Sequence, residues 1–484
     1  MEKKVIQKKA FKGAVWNLMS NIGTRMISLA IQIVLARLIA PQVFGVIAIV
    51  AVVDNLALVL VSSGYVTALI NKKELNDVDT SSAFYMGLFI SVVLYGVVFF
   101  TSPAIAAFYG EESLSTLLRV SSISLIINAL GSVQKSLISR NLDFHLNFYI
   151  SLISTFAQGL VGIIMALNGF GVWALVASSL TSVSVNILIT CILVKWHPQW
   201  LFSFTAVKNM FSYSSKLLLV KLLKSIQLNL STLIIGKRYD SATLAFYNRG
   251  NQIPDIIQTS ISGSINSVTL PLLSKYQDNV LDVRNGLRRI ISISCVMGAP
   301  IKFGLLAIAE PLILFLLTDT WAASIPFMQI ACFSLLLGPF AYKQDAYNAI
   351  GRTGLSLFVE ILHRSIFIVL LFIAMPFGVT AIAISCVVAN LIDAFISLII
   401  NKKVLFYSFK QQLKDFLPAN IIGFFMFIAV FFFGKIALPL WLLLFLQILI
   451  GALVYSGISY FFNRNELLYI WNLAKTSLSR TKKS

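Results

Sequence analysis

LARLIAPQVFGVIA, residues 35–48, and IGKRYDSATLAFYN, residues 235–248, follow one pattern at an offset of 200 residues. Each ends an apolar stretch, turns through basic residues and enters the next apolar stretch. Farther on, VTALINKKELNDV at 66–78 corresponds to VTLPLLSKYQDNV at 268–280, an offset of 202, and Arg140 corresponds to Arg352. The preserved order marks an internal repeat. Each copy contains six apolar stretches. An even number brings both copies into a membrane with the same orientation, so they are expected to be related by a pseudo-twofold axis along the membrane normal.

Outward from these turns, fourteen apolar stretches fill the chain: 13–36, 43–70, 82–108, 114–138, 147–168, 171–194, 209–236, 243–271, 288–317, 324–350, 355–375, 378–400, 416–437 and 439–462. A spanning helix needs ~20 mostly apolar residues, and backbone groups in lipid must be satisfied within the helix. The fold class expected is therefore an all-α polytopic membrane protein with fourteen transmembrane helices. Residues 1–195 form an N-lobe of helices 1–6, and 196–208 a cytoplasmic interfacial connection. Residues 209–400 form a C-lobe of helices 7–12, 401–462 carry helices 13 and 14, and 463–484 form a basic cytoplasmic tail.

The 484 residues are 58% hydrophobic and 12% charged, which leaves no room for a sizeable soluble domain. Of the 38 Lys and Arg, 25 fall on one side of the fourteen spans, with Lys135, Arg288 and Arg289 at span ends counted there, four on the other side and nine deeper inside spans. That bias puts both termini in the cytoplasm. The net charge of +19 then reflects topology and attraction to anionic lipid rather than nucleic acid. Leu467, Leu468, Ile470 and Trp471 in the tail suit an interfacial segment, as do Trp196, Trp200, Phe202 and Phe204 in the connection. The first stretch is too long, with Arg25 at its centre, for a cleavable signal. Cys191, Cys295, Cys332 and Cys386 lie singly in spans, without metal or disulfide spacing.

LARLIAPQVFGVIAIV at 35–50, GYVTALINKKELNDVD at 64–79, SRNLDFHL at 139–146 and YNRGNQIPDIIQTSISGSINSVTLPLLSKYQDN at 247–279 resemble the bacterial polysaccharide-exporter, or O-antigen flippase, family. The look is that of the branch associated with colanic and teichuronic acid export. The superfamily also includes multidrug-and-toxin extrusion antiporters and the lipid II flippase. The resemblance implies a 6 + 6 + 2 helix arrangement in the bacterial cytoplasmic (inner) membrane. It implies flipping of an undecaprenyl-diphosphate-linked oligosaccharide by alternating access, among membrane lipids and polysaccharide assembly proteins. No cofactor is implied beyond a coupling ion, Na⁺ or H⁺. The lipid II flippase likeness further suggests that helices 13 and 14 offer a groove for the polyprenyl tail.

Polar residues inside spans give the candidate sites. In helix 1, Asn17, Asn21, Thr24, Arg25, Ser28 and Gln32 fall within about 100° of one face. In helix 8, Asn248, Gln252, Asp255, Thr259, Ser262 and Asn266 fall within about 80°. Lipid rejects such stripes, so each is expected to line a wet cavity or, alternatively, to serve as polar glue between helices. The deep cations are Arg25, Lys221, Lys224, Arg249, Lys302 and Arg364, facing Asp54, Asp255, Glu360 and Asp393. Arg119, Lys216, Lys343 and Glu310 lie close enough to span ends to snorkel. An anionic diphosphate suits a surplus of deep cations, with Arg supplying a planar fork and Lys a point charge. Arg25, Lys224, Arg249, Lys221 and Lys302 are the candidates for that headgroup, with structural ion pairing as the alternative. Two equivalent pairs are expected, Arg25–Asp54 and Lys224–Asp255, with offsets of 199 and 201 that match the repeat. Glu360, His363 and Arg364 share a face of helix 11, while Asn390 and Asp393 lie deep in helix 12. They form either a structural ion pair or a site coupling transport to an ion gradient.

Enzyme readings fare poorly. Asp77-Val78-Asp79 has the form of a glycosyltransferase metal motif but sits in a loop of about nine residues, with no nucleotide-binding domain. Walker A, HExxH and GxSxG motifs are absent from the sequence, and His145, His197 and His363 are scattered. A polymerase or ligase acting on lipid-linked glycans calls for a substantial outer loop, which the chain lacks. A multidrug or cation antiporter of the same fold stays open as the alternative transporter.

Overall fold

The computed structural model describes residues 23–62, 68–70, 72, 75–141, 143–274 and 279–462, which are helices and short connections. Among these residues, eleven helices are long and apolar enough to cross a membrane, or twelve if the bent pair Asp319–Leu336 and Gly338–Ala349 is one span. The sequence reading counts two stretches more. One, 13–36, is described from residue 23 and is helical over 23–38 (α1). The other, 243–271, lies in a 34-residue helix, Ser241–Ser274, whose Ser, Thr, Asn and Gln content lowers its hydropathy. The basic tail lies outside the described residues.

The chain divides into two compact units, residues 1–245 and 246–484. In the first unit, α2 (Pro41–Ser62) and α3 (Asp77–Tyr109) follow α1. The α3 start is fixed by Asp79, whose carboxylate accepts from the Asn76 N–H at 3.2 Å and pairs with Lys72 at 2.6 Å. Its end is closed by Gly110 at φ 76°, a left-handed position that glycine adopts without strain. The fourth span is broken into α4 (Ser113–Ser121), α5 (Ile123–Leu130) and α6 (Ser132–Arg140). Then come α7 (Phe144–Leu167), α8 (Val172–Leu193) and α9 (Phe204–Arg238).

Small residues let these helices touch closely, as lipid-embedded packing requires. A Cβ at Gly159 would stand 2.6 Å from Ile31, and one at Gly45 only 1.8 Å from the Ser241 carbonyl oxygen. Gly236 of α9 sits against Ile49 of α2. The sequence reading starts the second lobe at 209. In the structure α9 lies along α2, and the compact division falls after Ala245.

The second unit contains most of α10 (Ser241–Ser274), then α11 (Val280–Leu317), which carries Pro300 and Pro311 inside. The tenth span is discontinuous: a 3-10 turn Asp319–Ser324, α12 (Ile325–Leu336), a 3-10 turn Gly338–Tyr342 and the short α13 (Lys343–Ala349). It is followed by α14 (Thr353–Ala374), α15 (Val379–Val404), α16 (Phe409–Phe433) and α17 (Leu440–Phe462). Helices 13 and 14 of the sequence reading, α16 and α17, pack into the core of this unit. Leu287, Ile291, Cys295, Ala299 and Phe303 of α11 form one core with Ala419, Ile422, Met426 and Val430 of α16. Gly423 admits Phe303, and the Tyr455 hydroxyl of α17 donates to the Val296 carbonyl at 2.8 Å.

Candidate functional site

In the first unit the polar stripe of α1 begins, for the described residues, at Thr24. Arg25 is exposed, while Ser28 and Gln32 are half-buried and hydrogen-bonded to each other at 3.4 Å. Ile31 and Leu35 on the same helix are buried in the unit's core. An exposed arginine on a helix of this hydropathy faces either lipid, which rejects it, or water. Asn17 and Asn21 lie outside the described residues. Lys221 and Lys224 are both exposed on α9.

Arg25 is expected to pair with Asp54. Asp54 accepts a hydrogen bond from the Ser122 hydroxyl at 2.8 Å. Ser122 stands at the break between α4 and α5, where the interrupted helix turns its hydroxyl toward α2. A neutral donor thus answers the carboxylate that sequence spacing assigns to Arg25. Lys224 falls in the first unit and Asp255 in the second.

In the second unit, the stripe of α10 is its accessible side. Asp255 and Thr259 are exposed, with Asn248, Gln252 and Ser262 half-buried. Gly250 and Pro254 on other faces are buried. Gly250 lets α10 approach the Ser324 carbonyl, where a Cβ would stand 2.7 Å away. Arg249 donates to Gln252 Oε1 at 2.5 Å, and its guanidinium lies 5.2 Å from the centre of the Trp321 ring. Trp321 is wholly buried and meets Phe246 edge-on. A guanidinium over the face of a Trp ring keeps its in-plane N–H edge directed away from that ring. Of Asn266, only the backbone is described, as helix. Lys302 is 3% exposed beside Cys295 and Gly298, inside the α11 core, so it is a packed lysine and not one on an accessible face.

Around the discontinuous tenth span lies an ionic lattice. Lys343 pairs with Asp393 at 2.6 Å and also donates to Ser397. Its side chain is 3% exposed, which corrects the reading of Lys343 as a snorkelling residue. The break at Gly338–Tyr342 turns α13 inward and carries the ammonium with it. Next to it Gln344 donates to Glu360, and Arg364 pairs with Glu360 one helical turn away. Tyr347 donates to Asn401 at 2.8 Å. Thus Lys343, Gln344 and Tyr347 tie α13 to α14 and α15. Asn390 donates to Ser334 at 3.4 Å, and His363 Nε2 is buried with no hydrogen-bond partner among the described residues. Among those residues, no group of His, Cys, Asp and Glu is arranged to hold a metal.

An apolar groove of about 260 Å³ runs between α11, α16 and α17, with Pro300, Gly304, Met426, Val430, Ile448 and Gly451 in its wall. Sequence reasoning missed Trp321, Ser122 and the depth of Lys343. The Gly338-Pro339 step was the available signal for the last, since proline interrupts a helix and reorients the segment beyond it.

The family described as "Polysaccharide biosynthesis protein" matches residues 34–326 of this chain. The succinoglycan biosynthesis transport protein ExoT of Rhizobium meliloti is 23% identical over 319 residues, 66% of this chain and 65% of that protein. The teichuronic acid biosynthesis protein TuaB of Bacillus subtilis is 25% identical over 281 residues, 57% of each. The lipopolysaccharide biosynthesis protein WzxC of Escherichia coli is 21% identical over 333 residues, 68% of this chain and 67% of that one. The match thus spans just under two thirds of ExoT and somewhat over half of TuaB. Among solved structures, the lipid II flippase MurJ in an inward closed conformation superposes with a TM-score of 0.75, covering 94% of this chain and 100% of that one at 17% identity. An inward-facing multidrug resistance MATE transporter gives 0.63, covering 81% and 98%, at 16% identity. At these identities the likeness is one of fold.

Proposed function

The chain belongs to the polysaccharide biosynthesis protein family, and from that premise we propose that this multi-pass membrane protein is a transporter that carries a lipid-linked saccharide across the cytoplasmic membrane. The finer reading is that the cargo is an undecaprenyl-diphosphate-linked oligosaccharide and that both termini are cytoplasmic. The observation that carries it is Arg249, held on the polar face of α10 by Gln252 and by the face of Trp321. A guanidinium positioned in this way presents charged donors that match phosphate oxygens. A cationic drug gains nothing from it.

In this reading Arg25 and the exposed Lys221 and Lys224 supply further positive charge on accessible faces. Lys302, packed inside the α11 core, acts indirectly at most. Saccharide and diphosphate travel in water-accessible space as the transporter alternates its access, while the prenyl chain stays in lipid. The groove of α11, α16 and α17 has the apolar walls that a prenyl chain needs. Coupling to Na⁺ or H⁺ at Glu360, Arg364, Asn390 and Asp393 requires an entering cation to compete with Lys343 and Arg364 for the two carboxylates.

The test is export of a lipid-linked glycan in cells that depend on this protein. Arg249→Ala should cut export by about tenfold or more, since a hydrogen bond to a charged group is worth ~1.5–3 kcal/mol. Arg249→Lys should restore it partly, because the charge returns without the fork. Normal export by Arg249→Ala at wild-type membrane levels would rule out Arg249 as a headgroup ligand.

A further inference from the structure

A second cavity, of about 520 Å³, opens in the first unit between the broken fourth span and α8. Its walls are apolar: Ile127 and Leu130 come from α5, and Ile187, Leu188 and Ile192 from α8. Its mouth is basic. Lys195 and His197 line it where α8 runs into the connection, and both are exposed. Among the described residues, no carboxylate lines it.

The cavity is built into the fold rather than left by loose packing. Gly131, at the break between α5 and α6, admits Ile187 so closely that a Cβ there would stand 2.5 Å from its Cδ1. The mouth is fixed as well. Trp196 packs on Phe84 with ring centres 5.9 Å apart, and Trp200 stacks on Tyr85 at 6.2 Å. The Gln199 N–H donates to Ser81 Oγ at 3.1 Å, and the Ser203 N–H to Ser82 Oγ at 2.9 Å. These contacts hold Lys195 and His197 in place beside the cavity. Trp200 is 95% exposed and Phe204 80% exposed, which suits aromatic side chains lying at a lipid–water boundary.

We propose that this cavity binds an anionic membrane phospholipid, with an acyl chain between α5 and α8 and its phosphate at Lys195 and His197. Three features select that occupant. The walls accept hydrocarbon. Among the described residues, the charged or titratable groups other than the Cys191 thiol that line it are Lys195 and His197. The cavity opens at the end of α8 that the basic-residue bias assigns to the cytoplasmic leaflet, where anionic lipid concentrates, and basic pockets between helices there suit acidic headgroups. The inference is independent of which saccharide the protein carries.

The experiment titrates the delipidated full-length protein in detergent with phosphatidylglycerol, and separately with phosphatidylcholine of the same chains, counting bound lipid by native mass spectrometry. A saturable preference for phosphatidylglycerol is expected. Lys195→Gln, at an exposed site, should weaken it about fivefold. Cys191→Trp should block binding with every charge in place. Lys402→Gln with Lys403→Gln, a basic pair outside the cavity, should change nothing. Equal binding of both lipids, or an equal loss in the Lys402 and Lys403 control, would overturn the proposal. So would displacement of bound phosphatidylglycerol by farnesyl diphosphate at equimolar amounts, since the cavity would then belong to the transported prenyl lipid.

Discussion

At 2.6 Å, the Lys343 ammonium and the Asp393 carboxylate are partners that neither helix can spare. Removing one partner of a buried pair leaves an uncompensated charge and costs ~3–5 kcal/mol, whereas replacing both with apolar groups is often neutral. Asp393→Leu should therefore lower the thermal midpoint of the detergent-solubilised protein sharply, and Lys343→Met with Asp393→Leu should recover most of it. Equal instability of single and double variants would mean that the lysine is held by Ser397 and packing instead. Sequence reasoning picks out Asp393 but not its partner. Depth along a span is legible from residue count only when the helix is continuous, and the Gly338–Tyr342 turn breaks that count. Asp54 shows the same limit. Its spacing from Arg25 suggests a pair but says nothing of Ser122, a serine at a helix break that bonds to it. Arg249 is legible as a deep cation, whereas Trp321 beneath it is not, since the two are far apart in sequence.

Helices fix these residues through their ends and their contacts. The α10 start is capped by Asp240, whose carboxylate accepts from the Thr243 N–H at 3.0 Å and from its hydroxyl at 2.6 Å. The Thr243 hydroxyl holds the Asp240 carboxyl below its ordinary value. A group with a depressed folded-state pKa stabilises above its unfolded pKa, and that contribution fades as pH falls through the folded value. Asp240→Ala should cost ~0.5–2 kcal/mol at neutral pH, and the difference from wild type should narrow on acidification below about pH 4. A pH-independent difference would show that the cap acts by shape alone. Close approach is the other constraint. Gly45→Ala places a methyl 1.8 Å from the Ser241 carbonyl oxygen, a backbone atom that cannot swing aside. That variant should reach the membrane poorly or unfold early, whereas Gly96→Ala, whose Cβ meets nothing within 4 Å, should behave as wild type. The hydropathy pattern makes helix existence legible. It carries no information on the breaks at Ser122 and Gly131, nor on the packing of α16 and α17 against α11, which depends on Gly423 and Tyr455 matching residues more than a hundred positions away.

For the whole molecule, period, offset and charge bias make the class of protein readable: polytopic, helical, repeated. The count differs by two, in part because the polar stripe of α10 lowers the hydropathy by which spans are recognised. Topology is testable directly. Cysteines at Asn168, Pro376 and Lys435, all exposed, should react with an impermeant outside label, and those at Asn76, Asn141 and Lys402 should react only after permeabilisation. A mixed pattern would contradict the fourteen-span orientation. The central claim is transport of a lipid-linked saccharide. The most direct measurement is the movement of a fluorescent undecaprenyl-diphosphate-linked glycan across vesicles holding the purified protein, read by quenching from outside. The account predicts protein-dependent flipping that Arg249→Ala reduces about tenfold or more, because alanine offers the phosphate no charged donor. Flipping no faster than in protein-free vesicles, under gradients of Na⁺, H⁺ and membrane potential alike, would contradict it.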